Sequence, residues 1–297
     1  MGRLAFGITC RSAVVVSFWG VRGSFPTSGS STARYGGHTS CITVRADGHP
    51  PLVFDMGTGA RRLGKELVEQ GEKEVFVLLS HTHMDHLYAL PFFAPVFQSD
   101  CRVHIGVPAA SAEDARERLS NYLNGVFHPL RMDDLEGLQF HGLPAGSSFE
   151  VGPYAVQTLR LVHPGGVLGF RTSFGGRSIC YVTDTGPLAP FGEGIMAGAE
   201  PTSMENDFLN LIRGTDLLVM DATFEAEEYA SKVSWGHSYP EYAVEVARLA
   251  NVRKVALFHH SPDATDDMLD AVAAKWSSFT QPEVIVAKEG LSVSLEG

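Results

Sequence analysis

Residues 80–90 read Ser-His-Thr-His-Met-Asp-His-Leu-Tyr-Ala-Leu, which places His81, His83, Asp85 and His86 within six residues. The stretch before it, Val75-Phe76-Val77-Leu78-Leu79, is an unbroken apolar run of the kind a buried strand shows. A buried strand that ends in so many imidazoles constrains the fold strongly. Clustered histidines repel when protonated, and buried polar groups without partners are penalised. The rest of the chain must therefore bring something that uses them. A solvated loop with chance histidines is the bland alternative, and the density speaks against it. His81 and His83 are two apart and point the same way in extended backbone. Asp85 and His86 lie past the bend and aim at a second point. Imidazole with carboxylate suits zinc, and also manganese or iron.

The flanking sequence predicts what carries this loop. Strand-like runs fall at 13–19, 40–44, 52–55, 102–107, 138–143, 154–162, 169–174, 178–183, 217–220 and 255–258. Two more, 284–287 and 291–295, read as a closing strand pair. Helical patterns start near Thr58 and end at Gly71, start at Ser111 and at Ser238, and cover 207–213 and about 264–279. Ser111 with Asp114, and Ser238 with Glu241, read as capping boxes. Met268, Leu269, Val272, Ala273 and Trp276 read as the packed face of the last helix. Prolines in 90–97 argue against a long helix there and leave core packing or an apolar flap beside the metal loop. Residues 27–37 read as a mobile loop, 186–206 as a loop without lysine or arginine, and 225–228 as a solvated acidic face. The pattern is that of an α/β (α+β) chain. Two stacked sheets with outer helices would gather its polar strand ends. One domain over 14–297 is expected, with 1–13 as an N-terminal extension.

Composition narrows the setting. The 297 residues are 44% hydrophobic and 19% charged, enough for a sizeable core. No apolar run approaches the length of a membrane span. The apolar stretch from Leu4 to Cys10 is short for a signal peptide, and a strand-like run follows at Val14. Cys10, Cys41, Cys101 and Cys180 are far apart, and the last three sit in apolar runs, as buried thiols in a reducing cytoplasm would. A net charge of −11 disfavours an extended nucleic-acid surface. It leaves an anionic substrate open, because two divalent cations would reverse the local charge.

Other strand ends carry candidate partners for the metal loop. His163 follows the run 156–162 and precedes Pro164-Gly165-Gly166; Asp184 follows 179–183 and precedes Thr185-Gly186-Pro187. Either alone would be an ordinary turn residue. Together they supply ligands that the loop lacks. Asp55, in Asp55-Met56-Gly57-Thr58-Gly59, reads equally as an Asx turn or as an orienting partner for a ligand histidine. Helix chemistry explains Ser238 but not His237.

With these motifs the chain resembles the metallo-β-lactamase fold superfamily, whose hallmark His-x-His-x-Asp-His is here His81, His83, Asp85 and His86. Its C-terminal half resembles the ribonuclease Z-like phosphodiesterase branch through three ordered boxes. They are Met220-Asp221-Ala222-Thr223-Phe224, Gly236-His237-Ser238-Tyr239 and Phe258-His259-His260-Ser261. Against that branch, Asp221 stands for glutamate, Met220 for histidine and Tyr239 for threonine. No basic glycine-rich arm is evident, so the chain looks closer to members acting on cyclic nucleotides or other small phosphodiesters.

The resemblance implies a four-layer αββα sandwich, a homodimer, and two divalent metal ions, zinc first with manganese or iron as alternatives. It implies one ion held by His81, His83 and His163, the other by Asp85, His86 and His259, and Asp184 bridging them. It also implies a bridging hydroxide at neutral pH, which Asp85 helps to orient. His237 is the candidate general acid, with Asp221 as its orienting partner; a purely structural His237 stays open. A lactonase or lactamase on the same fold, an RNA-processing nuclease, and a non-catalytic metal- or nucleotide-binding protein are the competing functions.

Overall fold

The computed structural model describes residues 13–126, 128–135, 137–190 and 192–296. The expected extension, 1–13, falls almost wholly outside the described residues, as does Cys10. The first half of the chain runs β1 (Val14–Gly20), β2 (Cys41–Ala46), β3 (Leu52–Phe54), α1 (Ala60–Glu69), β4 (Glu74–Leu78), β5 (Arg102–Val107), α2 (Ala112–Tyr122) and β6 (Leu138–Gly142). The second runs β7 (Ser148–Val151), β8 (Tyr154–Leu161), β9 (Val167–Phe174), β10 (Arg177–Val182), α3 (Ser203–Ile212), β11 (Leu217–Asp221), α4 (Ala226–Lys232), α5 (Pro240–Leu249), β12 (Lys254–Phe258), α6 (Asp266–Trp276), β13 (Glu283–Val286) and β14 (Ser292–Leu295).

Among the described residues these strands make two seven-stranded sheets, ordered β14-β1-β2-β3-β4-β5-β6 and β13-β12-β11-β10-β9-β8-β7. Each sheet is antiparallel at one end and parallel at the other. Strands β3 to β6 are mutually parallel in the first sheet, and β10 to β13 in the second.

The unbroken apolar runs follow from this layering. In β4, Phe76 and Leu78 face the other sheet, while Val75 and Val77 face α1 and α2. In β11, Leu217 and Val219 join the layer between the sheets, while Leu218 and Met220 pack under α3 and α5. With side chains alternating across a strand, a strand covered on both faces must be apolar at every position. Phe18, Phe54, Phe170, Tyr181 and Phe258 fill the inter-sheet layer. The four-layer α/β sandwich is therefore present.

Several local expectations are corrected. The runs near 284–287 and 291–295 do not pair with each other: β13 lies beside β12, and β14 crosses to lie antiparallel to β1. Helix α3 begins at Ser203, not 207, because Thr202 and Glu205 form a reciprocal capping box. The acidic run 225–228 is solvated as expected, with Glu225, Glu227 and Glu228 exposed, and it forms the first turn of α4. Ser238 does not cap α5: the helix starts at Pro240, Ser238 N donates to Asp221, and Glu241 pairs with Lys275. Met268 is exposed instead of packed. Residues 27–37 are held to α6, since Arg34 N and Tyr35 N donate to Asp266 and Tyr35 OH donates to Asp270.

Candidate metal centre

The polar strand ends meet at one edge of the inter-sheet layer. Asp55 follows β3, the His81–His86 loop follows β4, His163 follows β8, Asp184 follows β10, Asp221 ends β11 and His259 follows β12. Ligand sites outside the carboxyl ends of parallel strands are general for α/β sheets. Three of these residues have left-handed backbone: Asp55 at φ 60°, Asp184 at φ 50° and His259 at φ 60°. Such a conformation costs about 1–3 kcal/mol for a residue with a Cβ and persists where the surroundings dictate it. Here each turn swings a side chain from the strand end toward a common point.

The donor atoms fall into two groups. One contains His81, His83, His163 and Asp184, the other Asp85, His86, Asp184 and His259, with the atoms of each group within 4.8 Å of one another. Asp184 belongs to both. Its Oδ1 lies 3.1 Å from both His86 Nε2 and His259 Nε2, and its Oδ2 lies 3.8 Å from both His81 Nε2 and His163 Nε2. His260, by contrast, turns away and directs Nε2 at the Ala287 carbonyl at 2.8 Å.

In His81, His86, His163 and His259 the inward nitrogen is aimed by a contact on the opposite nitrogen. His86 Nδ1 donates to Asp55 Oδ2 at 2.8 Å, and His163 Nδ1 donates to the Gly236 carbonyl at 3.0 Å. His81 Nδ1 lies 3.1 Å from Ser80 Oγ, which donates to Asp55 Oδ2. Thr223 Oγ1 lies 3.0 Å from His259 Nδ1 and donates to the His259 carbonyl at 2.7 Å. Such bonds fix the tautomer and ring orientation of metal-binding histidines.

The fit to cations can be judged from what is left over. Nε2 of His81, His86 and His259 are buried without a hydrogen-bond partner among the described residues. Leaving a buried polar atom unsatisfied costs about 1–3 kcal/mol. Three such atoms facing shared carboxylates are relieved together if divalent cations take the space between them. The residues present therefore fit a pair of divalent metal ions.

The electrostatics show the same tension. Burial presses His86 and His259 toward the neutral form, yet Asp184, Asp85 and neighbouring carboxylates overcome it. His86 is held well above the ordinary imidazole value and His259 is raised to about 9. Burial lowers His81 and His163, and the nearby His86 charge adds to the effect at His81. Burial opposes ionisation of Asp85 and Asp184, but the surrounding imidazoles hold both below the usual carboxylate range.

His237 stands at the rim of this centre. Its Nδ1 donates to Asp221 Oδ2 at 2.8 Å, and its ring stacks on His259 with centroids 5.0 Å apart. Asp221 is fully buried and also accepts from the backbone N–H groups of Asp184, Thr223 and Ser238. The carboxylate at the end of β11 thus ties three of the site's loops together.

Sequence reading missed several supporting residues. Ser24 N donates to Asp85 Oδ2 at 2.8 Å, and a Cβ on Gly23 would overlap the His259 ring. Tyr181 OH donates to Asp55 at 2.7 Å, and Thr223 steers His259. Glycine before Ser24 and threonine two after Asp221 were the available signals. Neither identifies its distant partner.

The family model described as the beta-lactamase superfamily domain matches residues 52–260, more than two thirds of the chain. Ribonuclease Z of Treponema pallidum is 27% identical over 293 residues, covering 87% of this chain and 92% of its own. The metallo-beta-lactamase fold protein YhfI from Bacillus subtilis superposes with a TM-score of 0.68 at 20% identity, covering 95% of this chain and all of that one. A diphosphatase from the PhnP family superposes with a TM-score of 0.63 at 16% identity, covering 95% of this chain and 97% of that one. The chain, similar to ribonuclease Z, belongs to the beta-lactamase superfamily of metal-dependent hydrolases.

Proposed function

We propose that the protein hydrolyses small phosphodiesters, cyclic nucleotides among them. The observation that carries this is His237, set beside the paired donor groups and held by Asp221 at 2.8 Å. Phosphodiester hydrolysis forms one P–O bond to water and breaks another to an alkoxide, which leaves far more readily if it is protonated. With Nδ1–H committed to Asp221, His237 in its imidazolium form presents Nε2–H as the proton donor to that alkoxide and is left as the neutral Nδ1–H tautomer. Two divalent ions, zinc by the preference of this imidazole-rich donor set, would supply charge neutralisation at the phosphoryl oxygens and an ionised water near neutral pH. His81, His83 and His163 would hold one, and Asp85, His86 and His259 the other, with Asp184 shared. Asp85, fixed by Ser24 N, would also orient the attacking water.

His237→Ala is expected to lower turnover by about 10²–10⁴-fold while metal content is unchanged. A p-nitrophenyl leaving group, which needs no proton, should suffer least. Loss of metal would make His237 a ligand instead, a role its place in a group with Asp221 and His259 allows. An unaffected rate on a lactone would favour a lactonase.

The ribonuclease Z relatives favour RNA as a second reading. The acidic character of 186–206, with Glu193, Glu200 and Glu205 and no lysine or arginine, weighs for the smaller substrate. Assaying the metal-loaded protein on cyclic nucleotides, bis-p-nitrophenyl phosphate and a structured RNA separates the two.

A further inference from the structure

The two donor groups differ in exposure. Asp85, His86, Asp184 and His259 are buried, whereas His83 is exposed and His163 half-buried. A substrate therefore reaches the centre over His83 and His163. The turn after His163 walls that approach, since a Cβ on Gly165 would lie 3.8 Å from His83 Nε2. Behind the turn is a cleft of about 360 Å³ lined in part by Gly165, Gly166, Arg160 and Arg118.

The guanidinium of Arg160 lies against Gly166, where a Cβ would be 3.0 Å from Nη2. Arg160 is exposed, and its side chain has no hydrogen bond or ion pair among the described residues. Asp114 grips Arg118 through Nε at 2.9 Å and Nη2 at 3.3 Å, which leaves Nη1 for another acceptor. Asp114 is itself anchored to Ala110 N at 2.9 Å, so this guanidinium is held in place. A second cleft, of about 500 Å³, shares Arg118 and reaches Thr82 and Met84, the residues on either side of His83. Asp114 is the one acidic side chain lining either cleft among the described residues. An open track thus runs from the exposed edge of the metal centre to two guanidiniums, in a chain of net charge −11.

Guanidinium groups recognise phosphate with directed, charge-assisted hydrogen bonds. We propose that the Arg118–Arg160 track is a subsite for a second phosphate. The favoured substrate is then a phosphodiester that carries a further terminal phosphate, as a 5′-phosphorylated dinucleotide does. This rests on the phosphodiesterase reading above and narrows it.

The test compares the thymidine dinucleotide with and without a 5′-phosphate, alongside bis-p-nitrophenyl phosphate, on the metal-loaded protein. The phosphorylated dinucleotide is expected to have a KM about tenfold lower than the other dinucleotide, a difference within reach of one charge-assisted contact. Arg160→Gln should abolish most of that difference, Arg118→Gln part of it, and Arg160→Lys should restore some. All three variants should hydrolyse bis-p-nitrophenyl phosphate within about twofold of the parent, as expected for surface changes away from the reacting atoms. Equal KM values for the two dinucleotides in the parent, or equal losses on all three substrates in the variants, would overturn the subsite. If no phosphodiester is turned over at all, the phosphodiesterase reading fails separately. Calorimetric titration with the two dinucleotides then decides the subsite, and equal affinities would reject it.

Discussion

Asp55 accepts four hydrogen bonds, from Ser80 N, Ser80 Oγ, His86 Nδ1 and Tyr181 OH, and is fully buried. Burial and the Asp55 charge together push the Tyr181 phenol well above its ordinary pKa, so it stays a donor. One carboxylate therefore aims His86 directly and His81 through Ser80. In Asp55→Asn the amide group must face one of these donors. Metal affinity is expected to fall about 10–100-fold with the fold retained, measured by competition with a chromophoric chelator. Unchanged affinity would reduce Asp55 to a turn residue. Gly23→Ala should push on the His259 imidazole and lower the metal stoichiometry from two toward one by elemental analysis; an unchanged ratio would contradict the close approach. At this scale the sequence exposed the groups with an evident chemistry, His81 to His86, His163, Asp184 and His259. Asp55 stayed ambiguous because an Asx turn and an orienting carboxylate look alike in one strand. Ser24 and Tyr181 were invisible because their partners lie 61 and 126 residues away.

Helix starts show why a motif and its geometry can part company. Ser111 Oγ accepts from Asp114 N, and Thr202 Oγ1 accepts from Glu205 N. Ser111→Ala and Thr202→Ala should each cost about 1 kcal/mol, seen as a lowered midpoint in urea. Ser238 satisfies the same pattern with Glu241, yet its hydroxyl is buried and unpartnered among the described residues. Ser238→Ala should therefore leave stability unchanged or slightly raised; a loss as large as that at Ser111 would show a bond to this hydroxyl. The misreading has a physical cause. Asp221 claims the Ser238 amide, which delays the helix until Pro240, a residue preset for the first turn. Strands with continuous apolar runs were legible because both faces are covered. The short edge strand β7 was not, since only alternate positions are even half-buried.

Taken whole, the metal-free molecule stores protons where it would hold cations. His259, raised to about 9 from the ordinary 6.5, stabilises the metal-free fold fully below pH 6.5 and loses that contribution as pH rises through about 9. His86 shifts in the same direction, while Asp85 and Asp184, held low, contribute above about 3.8 and fail in acid. Cation binding needs neutral imidazole and so expels protons. Apparent metal affinity is expected to climb between pH 6.5 and about 9. Calorimetry at pH 7 in buffers of different ionisation heat should register that release, and a buffer-independent heat would refute the linkage. The sandwich itself was legible from alternating strand and helix patterns. Its closure was not, because nothing local tells β14 to leave β13 and join the opposite sheet. That crossing lays Leu295 beside Val14, at the far end of the same ladder. The described stretch from 13 to 296 thus nearly closes on itself. A circular permutant with Ala13 and Glu296 bridged by a short linker, and new ends opened at the exposed Gly175-Gly176 hairpin, should still assemble and take up two equivalents of zinc.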